Sequence, residues 1–465
     1  MAATREADCI ASLVARLGAG ADSEAARDAA RALMSVMSVA TDADRNGVAL
    51  RDAGGIAPLV ALLGAGVDSQ AAGFAAGALM NASINDTNAE AIFAAGGIAP
   101  LVALLEAGAD SVAATYAAGA LMYQAFHVSS AEAIRAAGGI APLVALLGAG
   151  ADSEAASYAV NAIMNLAAST ISAEAIREAG GIAPLVALLG AGAELVVACD
   201  AAAALWNLAR DAAGAASIRE AGGIAPLVAW SLGPGADSEA SGDAAGALTS
   251  LADDATNADA ILEGVALLRG VSGAAIGFHS HRLHRLLLCK LFGISKQRLA
   301  AAEAGDNVAT LERAIRHGSA LDLPPLHEAI RSARERLAEL RDEAALRARR
   351  ETLGLGELPL PHEFKCPITY ARMKDPVVAS DGHSYERSAI VRVLAARHPR
   401  SPLTREPLEQ TLFANRNLKK RIEQYEKEVL QAAERAVAHA VPPERAGASS
   451  SSEPPAKRTR GRGQR

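Results

Sequence analysis

The sequence predicts a mostly α-helical protein, in which an α-solenoid is followed by a helical segment and a small α+β domain. Three observations predict this fold class. The motif Gly-Gly-Ile-Ala-Pro-Leu-Val-Ala recurs through the first half of the chain. Hydrophobic residues make up 51% of the sequence and aromatic residues only 3%, so small side chains must form most of the core. Residues 364–418 differ, because they combine a short β pattern, an Asp-Gly turn and two amphipathic helices.

The repeated motif returns every 42 residues, a period fixed by five prolines: Pro58, Pro100, Pro142, Pro184 and Pro226. Each unit divides into three helices. In one unit the first helix ends at Gly96 and Gly97, and the first of these glycines suits a left-handed cap. Pro100 fits the first turn of the second helix, and Ser111 is a candidate cap for the third. Because no unit can bury its own apolar face, the units must stack into a solenoid with a concave side.

These three-helix units resemble the armadillo repeat over residues 8–270, and their period lies within the range of about 40–47 residues for such arrays. The resemblance implies that the third helices line a groove, where asparagines hold an extended peptide through their amide donors and acceptors. Alignment of the units places six residues at this position: Ser35, Asn81, Tyr123, Asn165, Asn207 and Ser250. We predict that Asn81, Tyr123, Asn165 and Asn207 form the substrate groove. The alternative is that they are solvated or bond neighbouring repeats.

A nuclear-import receptor is a competing interpretation of the same repeats. Import adaptors of the armadillo family also carry a tryptophan one turn before each asparagine. Here Gly77, Asn161 and Ala203 stand at those positions, so the aromatic slots are missing and the import function is disfavoured. Trp206 lies beside Asn207 instead, and we predict that its side chain is packed.

Residues 276–352 are predicted to form a helical connecting segment, with helices around 311–317, 326–340 and 343–352. His279, His281 and His284 lie close in sequence but lack the spacing of a standard metal site. We predict a basic amphipathic helix that caps the array there, with a metal site as the alternative. The charged stretch 331–341 predicts a solvated or bundled helix, and a dimerising coiled coil is its alternative.

Residues 364–418 resemble the U-box, the zinc-free relative of the RING domain found in ubiquitin ligases. The residues that match keep the order and spacing of the family: Phe364, Cys366-Pro367-Ile368, Met373, Asp375-Pro376-Val377, Gly382-His383, Tyr385-Glu386-Arg387, Ile390, Pro402-Leu403-Thr404, Leu408, Asn415 and Leu418-Lys419. There is one departure. The family usually carries a Trp-Leu pair late in the central helix, where this chain has Val393-Leu394.

The U-box resemblance implies a partner, a ubiquitin-conjugating enzyme charged with ubiquitin. Six residues are implied to bind it: Cys366, Pro367, Ile368, Leu394, Pro402 and Leu403. Arg405 occupies the position from which a basic residue bonds both the conjugating enzyme and ubiquitin, and such charge-assisted bonds favour the reactive thioester conformation. Arg405 is therefore the predicted catalytic residue, and a plain surface charge is its alternative. No covalent ubiquitin intermediate is expected, because Cys366 is predicted to be a small buried thiol.

No metal and no cofactor are predicted for this domain. A RING domain needs eight Cys or His ligands for two zinc ions, and this segment offers only four scattered candidates: His362, Cys366, His383 and His398. The resemblance implies that polar side chains hold the loops instead. The candidates for this task are Asp375, Ser380, Asp381, Glu386 and Arg387.

The whole chain is predicted to be a ubiquitin-protein ligase of the plant or algal U-box type, which modifies lysines of a protein held by the armadillo array. The alternative is a non-catalytic scaffold with a degenerate U-box. The predicted domains are the array (1–275), the connecting segment (276–352), a linker (353–361), the U-box domain (362–432) and a disordered basic tail (433–465). The protein substrate is unidentified, and homodimerisation, common among U-box proteins, stays open.

Composition limits the other partners and the compartment. The net charge of −7 does not suggest specific nucleic-acid binding. Four widely spaced cysteines predict a reducing compartment. The N-terminus lacks the pattern of a signal peptide, and no apolar run approaches the ~18 residues of a membrane span. We therefore expect a soluble cytoplasmic protein without membrane contact, and the basic patch at 457–460 leaves nuclear localisation as an alternative.

Overall fold

The computed structural model describes residues 2–20, 23–38, 43–190, 195–232, 239–272, 282–355, 360–396 and 398–440. The chain divides into two compact units, Met1–Leu337 and Ala338–Arg465. This division falls inside the segment 276–352. His279, His281 and the basic patch at 457–460 lie outside the described residues, as does the tail beyond residue 440. The predicted disordered tail began at residue 433, but residues 433–440 are helical and continue the last helix, Arg416–Ala440.

Helices form nearly all of the regular structure in the described ranges. The α-helices are α1 (Ala2–Leu17), α2 (Glu24–Met37), α3 (Ala43–Asp52), α4 (Ile56–Leu63), α5 (Gln70–Ala82), α6 (Asp86–Ala94), α7 (Ile98–Leu104), α8 (Val112–Gln124), α9 (Val128–Ala136), α10 (Ile140–Leu147), α11 (Glu154–Leu166), α12 (Thr170–Glu178), α13 (Ile182–Gly190), α14 (Leu195–Leu208), α15 (Ala212–Glu220), α16 (Ile224–Leu232), α17 (Glu239–Leu251), α18 (Ala255–Ser272), α19 (Arg282–Glu303), α20 (Val308–Leu321), α21 (His327–Thr352), α22 (Arg387–Leu394) and α23 (Arg416–Ala440). Short 3₁₀ helices lie at Leu105–Ala107, Pro324–Leu326 and His362–Phe364. The helices predicted separately at 326–340 and 343–352 join into the single helix α21. Within the described ranges no single helix passes the length and hydropathy test for a membrane span, although two bent pairs of short helices do.

The third helices of successive repeats pack on one another, in the order α2, α5, α8, α11, α14 and α17. We call the surface that these six helices build the third-helix face. Their contacts are made largely by alanine, and in α5 Ala71, Ala72, Ala75 and Ala76 are all buried. Helix α19 packs on α17, and α20 packs on α19. The helices after the repeats therefore cover the end of the array, as predicted for a capping segment.

Each glycine of the repeated Gly-Gly pair has its own structural reason. Gly96 has φ of 73°, the left-handed conformation expected at the end of a helix. The same conformation recurs at the equivalent positions: Gly54, Gly138, Gly180 and Gly222. Gly97 is instead required by space, because a Cβ atom there would lie 3.0 Å from the carbonyl oxygen of Ile92 and 3.3 Å from Val60 Cγ2. The pair therefore fixes both the turn and the packing between the first and second helices.

Replacing Gly97 with alanine is expected to destabilise the array by about 1–3 kcal/mol, because the new methyl group overpacks a site that includes backbone. Gly293 provides the matched control, since it lies within α19 and a Cβ atom there meets nothing within 4 Å. Gly293→Ala is expected to stabilise by about 0.5–1 kcal/mol through helix propensity. Denaturant unfolding followed by tryptophan fluorescence measures both variants, because both tryptophans of the chain, Trp206 and Trp230, lie in the array. Equal stability of the two variants would contradict the packing argument.

Glycines on the third helices receive large side chains from the preceding repeat. A Cβ atom at Gly77 would lie 2.6 Å from Met34 Sδ. One at Gly246 would lie 2.7 Å from two ring carbons of Trp206, so Trp206 is packed, as predicted. At Gly77, one of the positions that would carry tryptophan in an import adaptor, the space is therefore occupied by a side chain from the preceding repeat.

The second unit contains a small sheet between helices. Its strands are β1 (Pro376–Val378), β2 (Ser384–Glu386) and β3 (Phe413–Ala414), in the antiparallel order β2-β1-β3. Val377 pairs with Tyr385 on one side and with Ala414 on the other. The core gathers Phe364, Val377 and Tyr385 from this region with Ile390 of α22 and Ile422 of α23: all are at most 4% exposed. Asn415 caps α23 as predicted, because its Oδ1 accepts the N–H of Leu418 at 3.0 Å.

Candidate functional site

Two short loops of the second unit have the same sequence pattern and the same backbone geometry. The first loop is Cys366–Tyr370, with sequence Cys-Pro-Ile-Thr-Tyr, and the second is Ser401–Arg405, with sequence Ser-Pro-Leu-Thr-Arg. In each, the N–H of the fifth residue donates to the carbonyl of the first, at 2.8 Å in the first loop and 3.0 Å in the second. Tyr370 and Arg405 both have positive φ, 56° and 64°. Bridges between Lys365 and Arg372 and between Arg400 and Pro407 close the two loops.

The first side chain of each loop is a buried hydrogen-bond acceptor. Ser401 is 3% exposed, and its Oγ accepts the N–H groups of Leu403 at 3.1 Å and Thr404 at 2.9 Å. Cys366 is 0% exposed, which confirms the buried thiol. Burial raises the pKa of this thiol, but N–H groups of Glu386 and of the third and fourth loop residues donate to Sγ and bring the net pKa below its ordinary value. Across the described ranges no group of three or more His, Cys, Asp or Glu side chains is arranged to hold a metal ion.

Carboxylates hold the segment that follows the first loop. Glu386 Oε2 accepts the N–H groups of Lys374 at 2.7 Å and Asp375 at 3.0 Å. Asp375 in turn pairs with Arg387, whose Nε lies 2.6 Å from Oδ2. Ser380 Oγ accepts the N–H of Glu409 at 2.9 Å. Four of the five polar residues predicted to hold the loops therefore form hydrogen bonds or an ion pair in the segments beside them.

Asp381 connects the sheet to the second loop. Its Oδ2 accepts the hydroxyl of Tyr385 at 2.7 Å, and that hydroxyl lies 3.4 Å from Ser401 Oγ. Its Oδ1 accepts the N–H of His383 at 3.0 Å. Burial alone would raise the pKa of Asp381, but the hydroxyls of Ser401 and Tyr385 and this N–H stabilise the carboxylate, so its net pKa is lowered. Burial also raises the pKa of Tyr385 to about 12, so the phenol stays a donor at neutral pH.

We expect Asp381→Asn to destabilise the second unit by about 1–3 kcal/mol at neutral pH, because an amide cannot accept all of these bonds. A lowered pKa means that the wild-type carboxylate contributes stability above its unfolded-state pKa of about 3.9 and loses it as pH falls through the lower folded-state value. The difference between the two proteins should therefore shrink below about pH 4. Amide hydrogen exchange of Tyr385 and Leu403 between pH 3 and 7 measures this. Exposed Asp342→Asn is the control, and a difference that persists at pH 3 would contradict the expectation.

A shallow cleft lies between the first loop and α22. It is lined by Ile368 and Thr369 from the loop and by Ala389, Arg392 and Val393 from the helix. Leu394 does not line it, because this side chain is 7% exposed and belongs to the core. Val393, the preceding residue of the helix, faces the cleft instead.

A second depression lies on the other side of the first loop, beside the start of α23. Pro367 and Leu403 line it together with Met373, Asn415 and Leu418. Leu403 is 51% exposed, and Pro402 and Arg405 are exposed beside it. The structure thus places Ile368 and Val393 together in the cleft, and Pro367 and Leu403 together in the second depression. It leaves Cys366 and Leu394 inside the core.

The predicted groove residues of the third-helix face are half-buried, and some of them bond within the array. Asn81 Nδ2 donates to the carbonyl of Met34 at 3.3 Å, and Asn207 Nδ2 donates to that of Met164 at 3.2 Å. Both bonds reach the preceding repeat. Asn165 Nδ2 donates to Asn161 Oδ1 at 3.2 Å within its own helix, and Tyr123 is half-buried at the equivalent position. Hydrogen bonds to the preceding repeat therefore use one amide N–H of Asn81 and one of Asn207.

Comparison with known proteins identifies the second unit. The U-box domain family model matches residues 360–430. This chain contains a U-box domain. The Armadillo/beta-catenin-like repeat model matches residues 172–210, within the helices that repeat every 42 residues, so the first unit is an armadillo-type solenoid.

The curated relatives match short stretches of this chain and of their own length. WD repeat, SAM and U-box domain-containing protein 1 of Danio rerio is 53% identical over 60 residues, which are 13% of this chain and 12% of that protein. E3 ubiquitin-protein ligase SPL11 of Oryza sativa subsp. japonica is 41% identical over 51 residues, 11% of this chain and 7% of that protein. These relatives come from an animal and a plant, so they do not single out the plant or algal type.

A solved crystal structure of an engineered protein covers more of the chain. It is 29% identical, with a TM-score of 0.52, and the match covers 70% of this chain and 81% of that protein. A match over 70% of this chain must include much more than the U-box domain. The repetitive helical part therefore has a counterpart among solved structures.

Proposed function

We propose that this chain is a ubiquitin-protein ligase, which binds a charged ubiquitin-conjugating enzyme through its U-box and directs ubiquitin to lysines of a protein held by the armadillo array. The observation that carries the proposal is the pair of equivalent loops, which are fixed by buried acceptors and present apolar side chains outward. Loops held in this way, with Pro402 and Leu403 exposed and Ile368 partly buried, suit a small apolar contact with a partner. A relative named as an E3 ubiquitin-protein ligase supports the same function.

The conjugating enzyme is proposed to contact the cleft of Ile368 and Val393 and the exposed Pro402 and Leu403. Cys366 and Leu394 support this surface from the core instead of touching the partner. Arg405 is proposed to bond both the conjugating enzyme and ubiquitin. Its carbonyl is held by Arg400 Nη1 at 3.1 Å, so the backbone from which the guanidinium extends is fixed. Fixed donors of this kind act by positioning, for which the ceiling is roughly 7–11 kcal/mol.

The ligase is proposed to act without a ubiquitin thioester of its own. A nucleophilic thiol must be accessible, whereas Cys366 is 0% exposed and its Sγ is occupied by backbone donors. Cys366→Ser keeps an acceptor of the kind that Ser401 supplies in the second loop. We expect this variant to retain ubiquitin transfer.

The array is proposed to hold the protein substrate on the third-helix face. Asn81, Asn165 and Asn207 each keep an acceptor oxygen for a peptide N–H, and Tyr123 adds a phenol. The full-length chain and its Tyr123→Ala, Asn165→Ala double variant can be compared for captured substrate while self-modification serves as the internal control. Loss of substrate with unchanged self-modification supports this role.

Purified full-length protein tests the ligase function directly. Given activating enzyme, a panel of conjugating enzymes, ATP and ubiquitin, it is expected to form ubiquitin chains on itself. A ubiquitin adduct on Cys366 that thiol reductant removes would contradict the mechanism. Failure to bind any conjugating enzyme of the panel would favour a non-catalytic scaffold.

A further inference from the structure

Glu426 is a buried carboxylate between two arginines of the second unit. It lies on α23 and is 2% exposed. Its Oε2 lies 2.8 Å from Nη2 of Arg372, and its Oε1 lies 3.4 Å from Nη2 of Arg350. Arg350 comes from the last two turns of α21, and Arg372 comes from the chain just after the first loop. One carboxylate therefore joins three separate segments.

Arg372 stands where the first loop is closed. The residue before it, Ala371, accepts the N–H of Cys366 at 2.8 Å, and the residue after it, Met373, donates to the carbonyl of Phe364 at 3.0 Å. A movement of Arg372 would therefore change both hydrogen bonds. We call residues 371–374, which follow the first loop, its stem. This stem has a second contact with α21, because Lys374 Nζ lies 3.5 Å from Glu343 Oε2.

The cluster is arranged for position more than for stability. The buried Nε atoms of Arg350 and Arg372 have no hydrogen-bond partner among the described residues. Leaving a buried donor without a partner costs free energy, and buried ion pairs are often no more stabilising than well-packed apolar side chains. A pair of charges does, however, fix the relative placement of the segments that carry it. This fits a role in holding the first loop.

We infer that Arg350 and Glu426 are positioning residues for the conjugating-enzyme site, and that the end of α21, residues 338–352, is a working part of the ligase module. The inference rests on the proposed function, because it takes binding of the conjugating enzyme as the role of the first loop. The U-box match begins at residue 360, so Arg350 lies outside it. The chain thus extends the domain with a helix that supports Ile368 through Arg372.

The chain contains a matched control for Glu426. Glu434 lies two turns further along α23 and pairs with Arg349, the neighbour of Arg350, with Nη2 and Oε2 2.6 Å apart. This second pair is more exposed, with 50% of the Arg349 side chain and 35% of the Glu434 side chain accessible. It does not involve the first loop or its stem. Glu426→Gln and Glu434→Gln therefore each remove one negative charge from α23 that faces an arginine of α21. Only the first change reaches Arg372.

Full-length wild type, Glu426→Gln, Arg350→Met and Glu434→Gln are compared in ubiquitin discharge from a charged conjugating enzyme. We expect KM for that enzyme to rise about tenfold in Glu426→Gln, with a smaller rise in Arg350→Met and an unchanged kcat in both. Glu434→Gln should match the wild type. Equal KM values for the Glu426 and Glu434 variants, or a loss of kcat that only follows a fall in Tm, would overturn the inference.

Amide hydrogen exchange of the four proteins, without any enzyme present, separates this inference from the proposed function. The N–H groups of Cys366 and Tyr370 should exchange faster in Glu426→Gln than in Glu434→Gln, while those of α22 stay unchanged. Faster exchange in a chain that discharges no ubiquitin would reject the ligase function but keep the support of the loop. Unchanged exchange in an active chain would reject the positioning role alone.

Discussion

Replacing Ile368 with alanine is expected to raise KM for the charged conjugating enzyme roughly 30-fold, which corresponds to about 2 kcal/mol for an apolar anchor at an interface. Ile368 lines the cleft beside Val393 and is only partly buried, so part of the apolar surface that the variant loses faces the cleft while the rest packs against the core. The kcat for transfer should change little, because the contact is the same before and during the reaction. Steady-state discharge at varied conjugating-enzyme concentration separates the two constants.

Val391→Ala is the control for this variant. Val391 lies on the same short helix as Val393 and is 48% exposed, but it does not line the cleft. It should leave KM within about twofold of the wild type, since exposed substitutions away from a contact rarely matter. Thermal unfolding of both variants tests whether the U-box stays intact. An Ile368→Ala protein with wild-type KM would remove the cleft from the binding surface.

Arg405→Asn is expected to lower kcat for ubiquitin transfer about 10- to 100-fold, the loss of a charge-assisted hydrogen bond worth about 1.5–3 kcal/mol. Asparagine is chosen because Arg405 has φ of 64°, a conformation that asparagine tolerates better than alanine does. The measurement is single-turnover discharge of ubiquitin to free lysine under saturating ligase. KM for the conjugating enzyme should rise less than in Ile368→Ala, because the apolar surface of Ile368, Val393, Pro402 and Leu403 is kept.

Two companion variants distinguish charge from backbone strain at Arg405. Arg405→Lys keeps the positive charge and should retain part of the rate. Arg405→Ala lacks the charge and also favours a different φ, so it should be at least as slow as Arg405→Asn. If Arg405→Asn is as fast as the wild type and only Arg405→Ala is slow, the arginine acts through the loop conformation and not through its guanidinium.

Local patterns predicted much of this molecule. Proline spacing predicted the repeats, Gly96 predicted the left-handed helix end, and Asn415 predicted the cap of α23. The sequence also indicates that the two loops are equivalent. Cys-Pro-Ile-Thr-Tyr and Ser-Pro-Leu-Thr-Arg share Pro and Thr, have similar residues at the first and third positions, and differ in chemistry only at the fifth. These features share one property: a few residues close in sequence determine each of them.

Features that depend on the phase of a short helix or on distant residues were not predicted. The U-box resemblance marked Val393-Leu394 as a pair, but consecutive helical residues point about 100° apart, and α22 is too short for its apolar pattern to choose between them. The contact of Arg350 with Glu426 joins residues 76 positions apart. No periodicity relates two charged residues at that separation, so only the fold brings them together.

The fit of Met34 against Gly77 bears on whether whole repeats can be removed by an in-frame deletion. A Cβ atom at Gly119 would clash with Met80, just as one at Gly77 would clash with Met34. Excision of residues 54–95 would place Met34 opposite Gly119, which has the same empty space. Excision of residues 96–137 would place Met80 opposite Asn161, the residue that Met122, the equivalent of Met80 in the next repeat, already precedes by the same register. Both deletions therefore recreate pairings of a kind that the intact array holds, and an evolving gene could shorten the array by whole 42-residue units without compensating changes.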